Sequence, residues 1–126
     1  MNKFFNFFSN IKVSDFNDVK KSADEIAKEL KNRKISFKSD KNISIINGYV
    51  PDEENNALFV GHTGVAINTN DGVIFIEKYG FELPYQITKF KNKEELKSYM
   101  VDRLKTSITG ESQTYEPVVM ENDKLM

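Results

Sequence analysis

Two residues carry most of the chemistry this chain can offer: its only histidine, His62, and the acid at Glu77. His62 sits in Ala57-Leu58-Phe59-Val60-Gly61-His62-Thr63-Gly64-Val65-Ala66-Ile67, and Glu77 in Val73-Ile74-Phe75-Ile76-Glu77-Lys78-Tyr79. The two runs flank Asn68-Thr69-Asn70-Asp71-Gly72, so an antiparallel hairpin is predicted. With a two- or four-residue loop, paired residue numbers sum to an odd value, which sets His62 on the face of Phe75, Glu77 and Tyr79. Glu77 is then a diagonal neighbour whose carboxylate could accept the imidazole N–H, fix its tautomer and raise its basicity, as a general base requires. A three-residue loop with a bulge would send Glu77 to the other face. The bland alternatives are a packed structural histidine and a solvated cross-strand glutamate.

The glycines beside His62 sharpen the question. Gly61 and Gly64 bring no side chain to the strand, and glycine within a strand marks a bulge or a close approach by another group. The absence of cysteine removes disulfides, thiolate metal sites and a thiol nucleophile from these 126 residues. One histidine also makes a poor zinc site, since zinc takes three or four protein ligands, and no metal or other cofactor is expected. No Gly-rich phosphate loop, Gly-x-Ser-x-Gly elbow or His-Glu-x-x-His occurs, and Asp52, Glu53 and Glu54 lack calcium-loop spacing.

Length and composition set the frame for that hairpin. A chain of 126 residues, 39% hydrophobic and 29% charged, fits one globular domain over 1–126 and argues against disorder. The net charge is −1, but residues 1–42 hold ten Lys/Arg against six Asp/Glu. Asp18, Asp24, Glu25 and Glu29 interrupt that basic region, so it reads as a solvated helix face, not a nucleic-acid surface. Met1 to Phe8 reads as an amphipathic turn of helix and not as a signal peptide, because Asn6, Ser9, Asn10 and Lys12 break its apolar run. No stretch approaches the ~18 apolar residues of a membrane span, and a soluble domain is predicted with its compartment open.

Helical spacing of Phe16, Val19, Ala23, Ile26, Ala27 and Leu30 predicts a long helix over Ser14 to Lys34, capped by Ser14. A second helix is expected over Asn92 to Leu104, with Asn92 as cap, Glu95 in the capping-box position, and Leu96, Tyr99, Met100 and Leu104 on one face. Ile43 to Ile46 starts a strand. Asn47-Gly48 is a turn signal, though Pro51 lets a bulge or bend compete with a hairpin, and Pro51 to Asn56 reads as a loop. Ala57 to Ile67 is apolar on both faces and should be a middle strand. Tyr85 to Phe90 alternates as a half-buried strand, Thr106 to Gln113 reads as a surface loop, and Tyr115 to Met120 as an edge strand. The expected fold is α+β: an antiparallel sheet of about four to five strands, the long N-terminal helix on one face and the second helix near the C-terminus.

The segments Gly61-His62-Thr63-Gly64-Val65-Ala66-Ile67 and Gly72-Val73-Ile74-Phe75-Ile76-Glu77-Lys78 resemble a bacterial family, domain of unknown function 4300, largely lipoproteins. Phe81-Glu82-Leu83-Pro84-Tyr85-Gln86, Lys89-Phe90-Lys91-Asn92 and Val119-Met120-Glu121-Asn122-Asp123 extend the resemblance. Glycine-flanked histidine strands are also, more loosely, similar to NlpC-type papain-like cell-wall amidases. Members of the resembled family are longer, exported and membrane-anchored, with an N-terminal portion holding a Cys-Arg motif. The resemblance therefore implies that this chain is the C-terminal part of a longer parent, with His62 as general base, Glu77 as its orienter, the nucleophile elsewhere, and no activity alone. Two other readings remain. In one, Tyr79, Phe81 and Tyr85 near Pro84 form the surface of a non-enzymatic ligand- or protein-binding module. In the other, the Phe-rich start marks an apolar face covered by the missing half or by self-association.

Overall fold

The computed structural model describes residues 3–38, 42–80, 82–107 and 115–126. Over these the chain is α+β: α1 (Lys3–Phe8), β1 (Ile11–Lys12), α2 (Val19–Asn32), β2 (Ile43–Asp52), β3 (Ala57–Thr69), β4 (Gly72–Lys78), β5 (Tyr85–Phe90), α3 (Lys93–Ser107), β6 (Val118–Glu121) and β7 (Lys124–Leu125). The sheet has seven strands in the order β5-β4-β3-β2-β6-β7, with β1 pairing β3, and its pairings are antiparallel. That is a larger sheet than the four to five strands expected. The two-residue β1 and β7 are too short to carry a readable period, which is why they escape sequence reading.

The N-terminal helix is shorter than the Ser14 to Lys34 prediction, and α1 stands separately before it. Asp18, not Ser14, caps α2: its carboxylate accepts from the Lys21 amide at 2.9 Å. Ser14 instead donates its amide to Glu25 Oε2 at 2.9 Å, and its hydroxyl bonds the same carboxylate. The chain before Val19 thus lies against the helix flank without extending it. Arg33 ties α1 down by donating to the carbonyls of Asn6 (2.8 Å), Ser9 (3.0 Å) and Asn10 (2.7 Å). Phe7 is buried in the core while Phe5 is exposed.

Alternation along β6 separates two cores, one on each side of the sheet. Val118 and Met120 join Ile11, Ile26, Leu30, Tyr49 and Leu58 under α2, while Val119 joins Ile46, Phe75, Phe90, Leu96 and Met100 under α3. Since β6 lies between β2 and β7, the edge placement expected for it is corrected. Asn47-Gly48 makes no turn: β2 runs straight through, held by β3 on one side and β6 on the other. The irregularity falls in β3, where Gly48 pairs His62 and Tyr49 pairs Val60, so Gly61 is the extra residue of a bulge. After Asp52 a short 3-10 turn over Glu53–Asn55 leads into β3, a middle strand flanked by β2 and β4 as predicted. The loop expected over Thr106 to Gln113 is helical through Ser107, and its remainder lies outside the described residues.

Candidate functional site: a buried carboxylate between His62 and Tyr99

The β3–β4 hairpin closes on a two-residue turn, with Thr69 opposite Gly72. Gly72 has φ +146°, and a Cβ there would fall 2.3 Å from the Phe90 carbonyl oxygen, so only glycine fits. Thr69 Oγ1 donates to the Gly72 carbonyl at 3.0 Å and receives the Asp71 amide at 3.3 Å. This turn fixes the odd-sum register, so His62, Glu77 and the following Tyr79 share the face that α3 covers. In that register Glu77 lies opposite Gly64. A Cβ on Gly64 would sit 2.3 Å from Phe75 Cζ, so the missing side chain is what makes room for the Phe75 ring.

Helix α3 supplies the other half of the site. Asn92 caps it, accepting the Glu95 amide at 2.9 Å, and Leu96, Met100 and Leu104 are buried on the sheet. Tyr99 and Arg103, one turn apart, face the same way. The Tyr99 ring packs edge-on to Phe75 at 6.3 Å and on Phe90 at 5.3 Å, which fixes its hydroxyl over the hairpin.

These elements converge on Glu77, which is 1% exposed. Its Oε1 lies 2.7 Å from His62 Nε2 and 3.9 Å from Arg103 Nη1. Its Oε2 accepts the Tyr99 hydroxyl at 2.6 Å. Tyr99 has one proton and gives it to Glu77, so the Tyr79 hydroxyl, 3.1 Å away, donates to Tyr99. The Arg103 guanidinium lies 4.2 Å from the centroid of the Tyr79 ring, closing the cluster on its outer side. A carboxylate at this depth is tolerable because both oxygens are hydrogen-bonded and a cation stands near.

The arrangement fixes the imidazole. A carboxylate only accepts, so Nε2 carries the proton that points at Glu77, and in the neutral ring Nδ1 holds the lone pair. Among the described residues Nδ1 has no hydrogen-bond partner. The His62 side chain is 9% exposed, and burial lowers its pKa; the Glu77 bond and charge oppose that shift and Arg103 adds to it, leaving the pKa below its ordinary value. The ring is therefore neutral at pH 7 and able to accept a proton at Nδ1. Burial and the bonds to Glu77 and Tyr79 push the Tyr99 hydroxyl well above the usual tyrosine range. Among the described residues, no three His, Cys, Asp or Glu side chains converge as a metal-binding group.

Of the residues the sequence singles out, the structure brings His62 and Glu77 together. Tyr79 joins the same cluster through its hydroxyl, Tyr85 stands apart on the sheet edge and 71% exposed, and Phe81 lies outside the described residues. Tyr99 and Arg103 are absent from the sequence-derived site. Tyr99 shares a periodic apolar stripe with Leu96, Met100 and Leu104, where a ring reads as packing; the only cue was a tyrosine followed one turn later by an arginine. Among the described residues no helix is long and apolar enough to cross a membrane.

No curated protein and no solved structure matches the chain, so the looser likeness to NlpC-type amidases gains nothing from comparison. One family does match: its model, described as "Domain of unknown function (DUF4300)", covers residues 1–126, and the chain belongs to that family.

Proposed function

We propose that this domain carries the general base of a papain-like thiol hydrolase and is inactive alone, because the thiol must come from outside residues 1–126. The observation that supports it is the His62 Nε2 to Glu77 Oε1 contact of 2.7 Å, which leaves Nδ1 as a proton acceptor. In the proposed reaction a cysteine thiol gives its proton to Nδ1, and the thiolate attacks an acyl carbon. Glu77 stabilises the imidazolium that forms, and Tyr99 holds the second carboxylate oxygen so that the acid cannot rotate away. The imidazolium then returns its proton to the departing amine, and water, deprotonated by the same nitrogen, releases the acid and the free thiol.

The reading requires that a reagent can reach Nδ1. Diethyl pyrocarbonate acylates neutral imidazole, and the single histidine makes the modification unambiguous. Under this proposal His62 is carbethoxylated at a rate within about tenfold of free imidazole at pH 7.5, and no amidase turnover appears before or after addition of small thiols. Protection by several hundredfold in the folded chain would overturn it.

A second reading, a non-enzymatic binding module, is favoured by the sheet face opposite α3. Val65, Ile76 and Ile87 form one cross-strand row over β3, β4 and β5. Ile87 and Tyr85 are each 71% exposed there, while α2 packs toward β1, β6 and β7. A protected His62 together with partner binding lost in Tyr85→Ser/Ile87→Ser would favour this reading over the hydrolase.

A further inference from the structure

Away from His62, a cleft of about 850 Å³ opens between the C-terminal half of α2, the segment 35–38, the start of β2 and the β6–β7 turn. Its volume is that of a small-molecule site. The floor is apolar: Leu30 is 1% exposed, Ile35 and Phe37 are half-buried against the α2 core, and Ile43 is 48% exposed at the mouth. The rim is cationic. Five lysines line the cleft against two acids, Glu121 and Asp123. Glu121 is already engaged, by Lys93 at 3.0 Å and by Ser44 at 2.9 Å. Lys28, Lys31, Lys38 and Lys124 remain, exposed and, among the described residues, outside the ion pairs. Asp123 offsets one of them, so the rim carries a surplus of about three positive charges.

Apolar surface leads out of the cleft in one direction. Ile43 lies opposite Ile67 in β3, and Ile67 opposite Ile74 in β4, on the face α2 leaves uncovered. Two inter-strand steps extend the floor by roughly 10 Å. We propose that the cleft binds a free anionic amphiphile, a single apolar chain ending in a phosphate or carboxylate. The headgroup meets Lys28, Lys31 and Lys124, and the chain lies over Phe37 and Ile43 toward Ile67. Neither half suffices: surface lysines hold a bare anion weakly in salt, and an uncharged chain leaves four ammonium groups around its polar end. This site is independent of the His62 proposal.

Calorimetric titration with octyl phosphate, kept below its micelle-forming concentration, tests the idea. One molecule should bind saturably, with inorganic phosphate and octyl glucoside at least tenfold weaker, and affinity should fall as salt rises. Lys28→Gln/Lys31→Gln should weaken binding at least tenfold, and Ile43→Asn severalfold, with unchanged circular dichroism because all three side chains are exposed. Should the double variant fail to fold, Lys31→Gln/Lys124→Gln makes the same test. Equal affinity of the wild type and a folded lysine variant, or no saturable binding, would overturn the proposal. Sedimentation with phosphatidylglycerol vesicles without octyl phosphate binding would overturn it too, in favour of surface adsorption.

Discussion

His62 and Glu77 meet at 2.7 Å along a diagonal of the β3–β4 hairpin, because the residue directly opposite Glu77 is Gly64. A side chain at position 64 would collide with the Phe75 ring, the ring against which Tyr99 packs on its way to Glu77. The bulge at Gly61 then turns His62 so that both it and its neighbour face α3: a Cβ on Gly61 would lie 3.1 Å from Leu104, on the same helix as Tyr99. The pairing depends on two glycines and one turn as much as on the two functional side chains.

The first expectation concerns the charge on Glu77. Burial lowers the His62 pKa, the Glu77 bond and charge raise it, and Arg103 lowers it again. Glu77→Gln keeps the shape and one acceptor but removes the negative charge, so the His62 pKa should fall further. It should also cost about 1–3 kcal/mol of stability, since Tyr99 loses an ionised acceptor. A proton NMR titration follows the one histidine through its ring resonances. A pKa unchanged or raised in Glu77→Gln would mean that Glu77 does not hold the imidazole.

How much of the site is legible in the sequence differs from residue to residue. Strand parity and a tight turn sufficed to place Glu77 beside His62, because a period of two leaves only two faces to choose between. The second helix and its Asn92 cap were equally legible, since capping is local chemistry. Tyr99 and Arg103 were not, because which helix face meets which strand is decided by tertiary packing of Leu96, Met100 and Leu104. The start of α2 is illegible in the sequence for a related reason: Ser14 and Asp18 are both competent caps, and the choice turns on a contact between Ser14 and Glu25 eleven residues away. Asn47-Gly48 reads as a turn only while β6, seventy residues later in sequence, is ignored.

The second expectation is a loss of stability in mild acid. The folded pKa of His62 lies below its unfolded value near 6.5. Between the two, the unfolded chain binds the proton and the folded chain does not, so stability present above pH 6.5 declines as pH falls through that window. The melting temperature should drop from pH 7.5 to 5.5 and stay more nearly level in His62→Gln. Parallel curves for the two proteins would show that His62 titrates alike in both states.

Alkaline pH supplies the third test. The Tyr99 hydroxyl is held above its ordinary range by burial first and by its bonds to Glu77 and Tyr79 second. Above pH 10 the unfolded chain gives up that proton while the fold retains it, so stability present below pH 10 is lost as pH rises. Tyr99→Phe should remove part of this alkaline loss and cost about 1.5–3 kcal/mol at neutral pH, the range for a hydrogen bond to a charged group. Denaturant unfolding at pH 7 and pH 10.5 compares the two. A Phe variant as stable as the parent at neutral pH would deny the Tyr99 to Glu77 bond its structural weight.

The glycines give the sharpest contrast. An added Cβ at Gly64 would stand 2.3 Å from Phe75 Cζ and 2.8 Å from the Ile76 carbonyl oxygen, and backbone cannot step aside. At Gly48 the nearest atom is closer still, at 2.2 Å, but it is the terminal Cδ1 of Leu104, with Met100 Cε at 3.2 Å, and both are free ends of flexible side chains. Nearest distance alone ranks Gly48 as the worse site; the nature of the neighbour reverses the order. Gly64→Ala should therefore cost more than Gly48→Ala in urea unfolding, toward the upper end of the ~1–3 kcal/mol typical of overpacking. It should also lower the His62 pKa, because Phe75 supports Tyr99 and displacing that ring loosens Glu77 from the imidazole, whereas Gly48→Ala should leave the pKa in place. A destabilised Gly64→Ala with an unshifted His62 would mean that the Phe75 ring does not position the carboxylate.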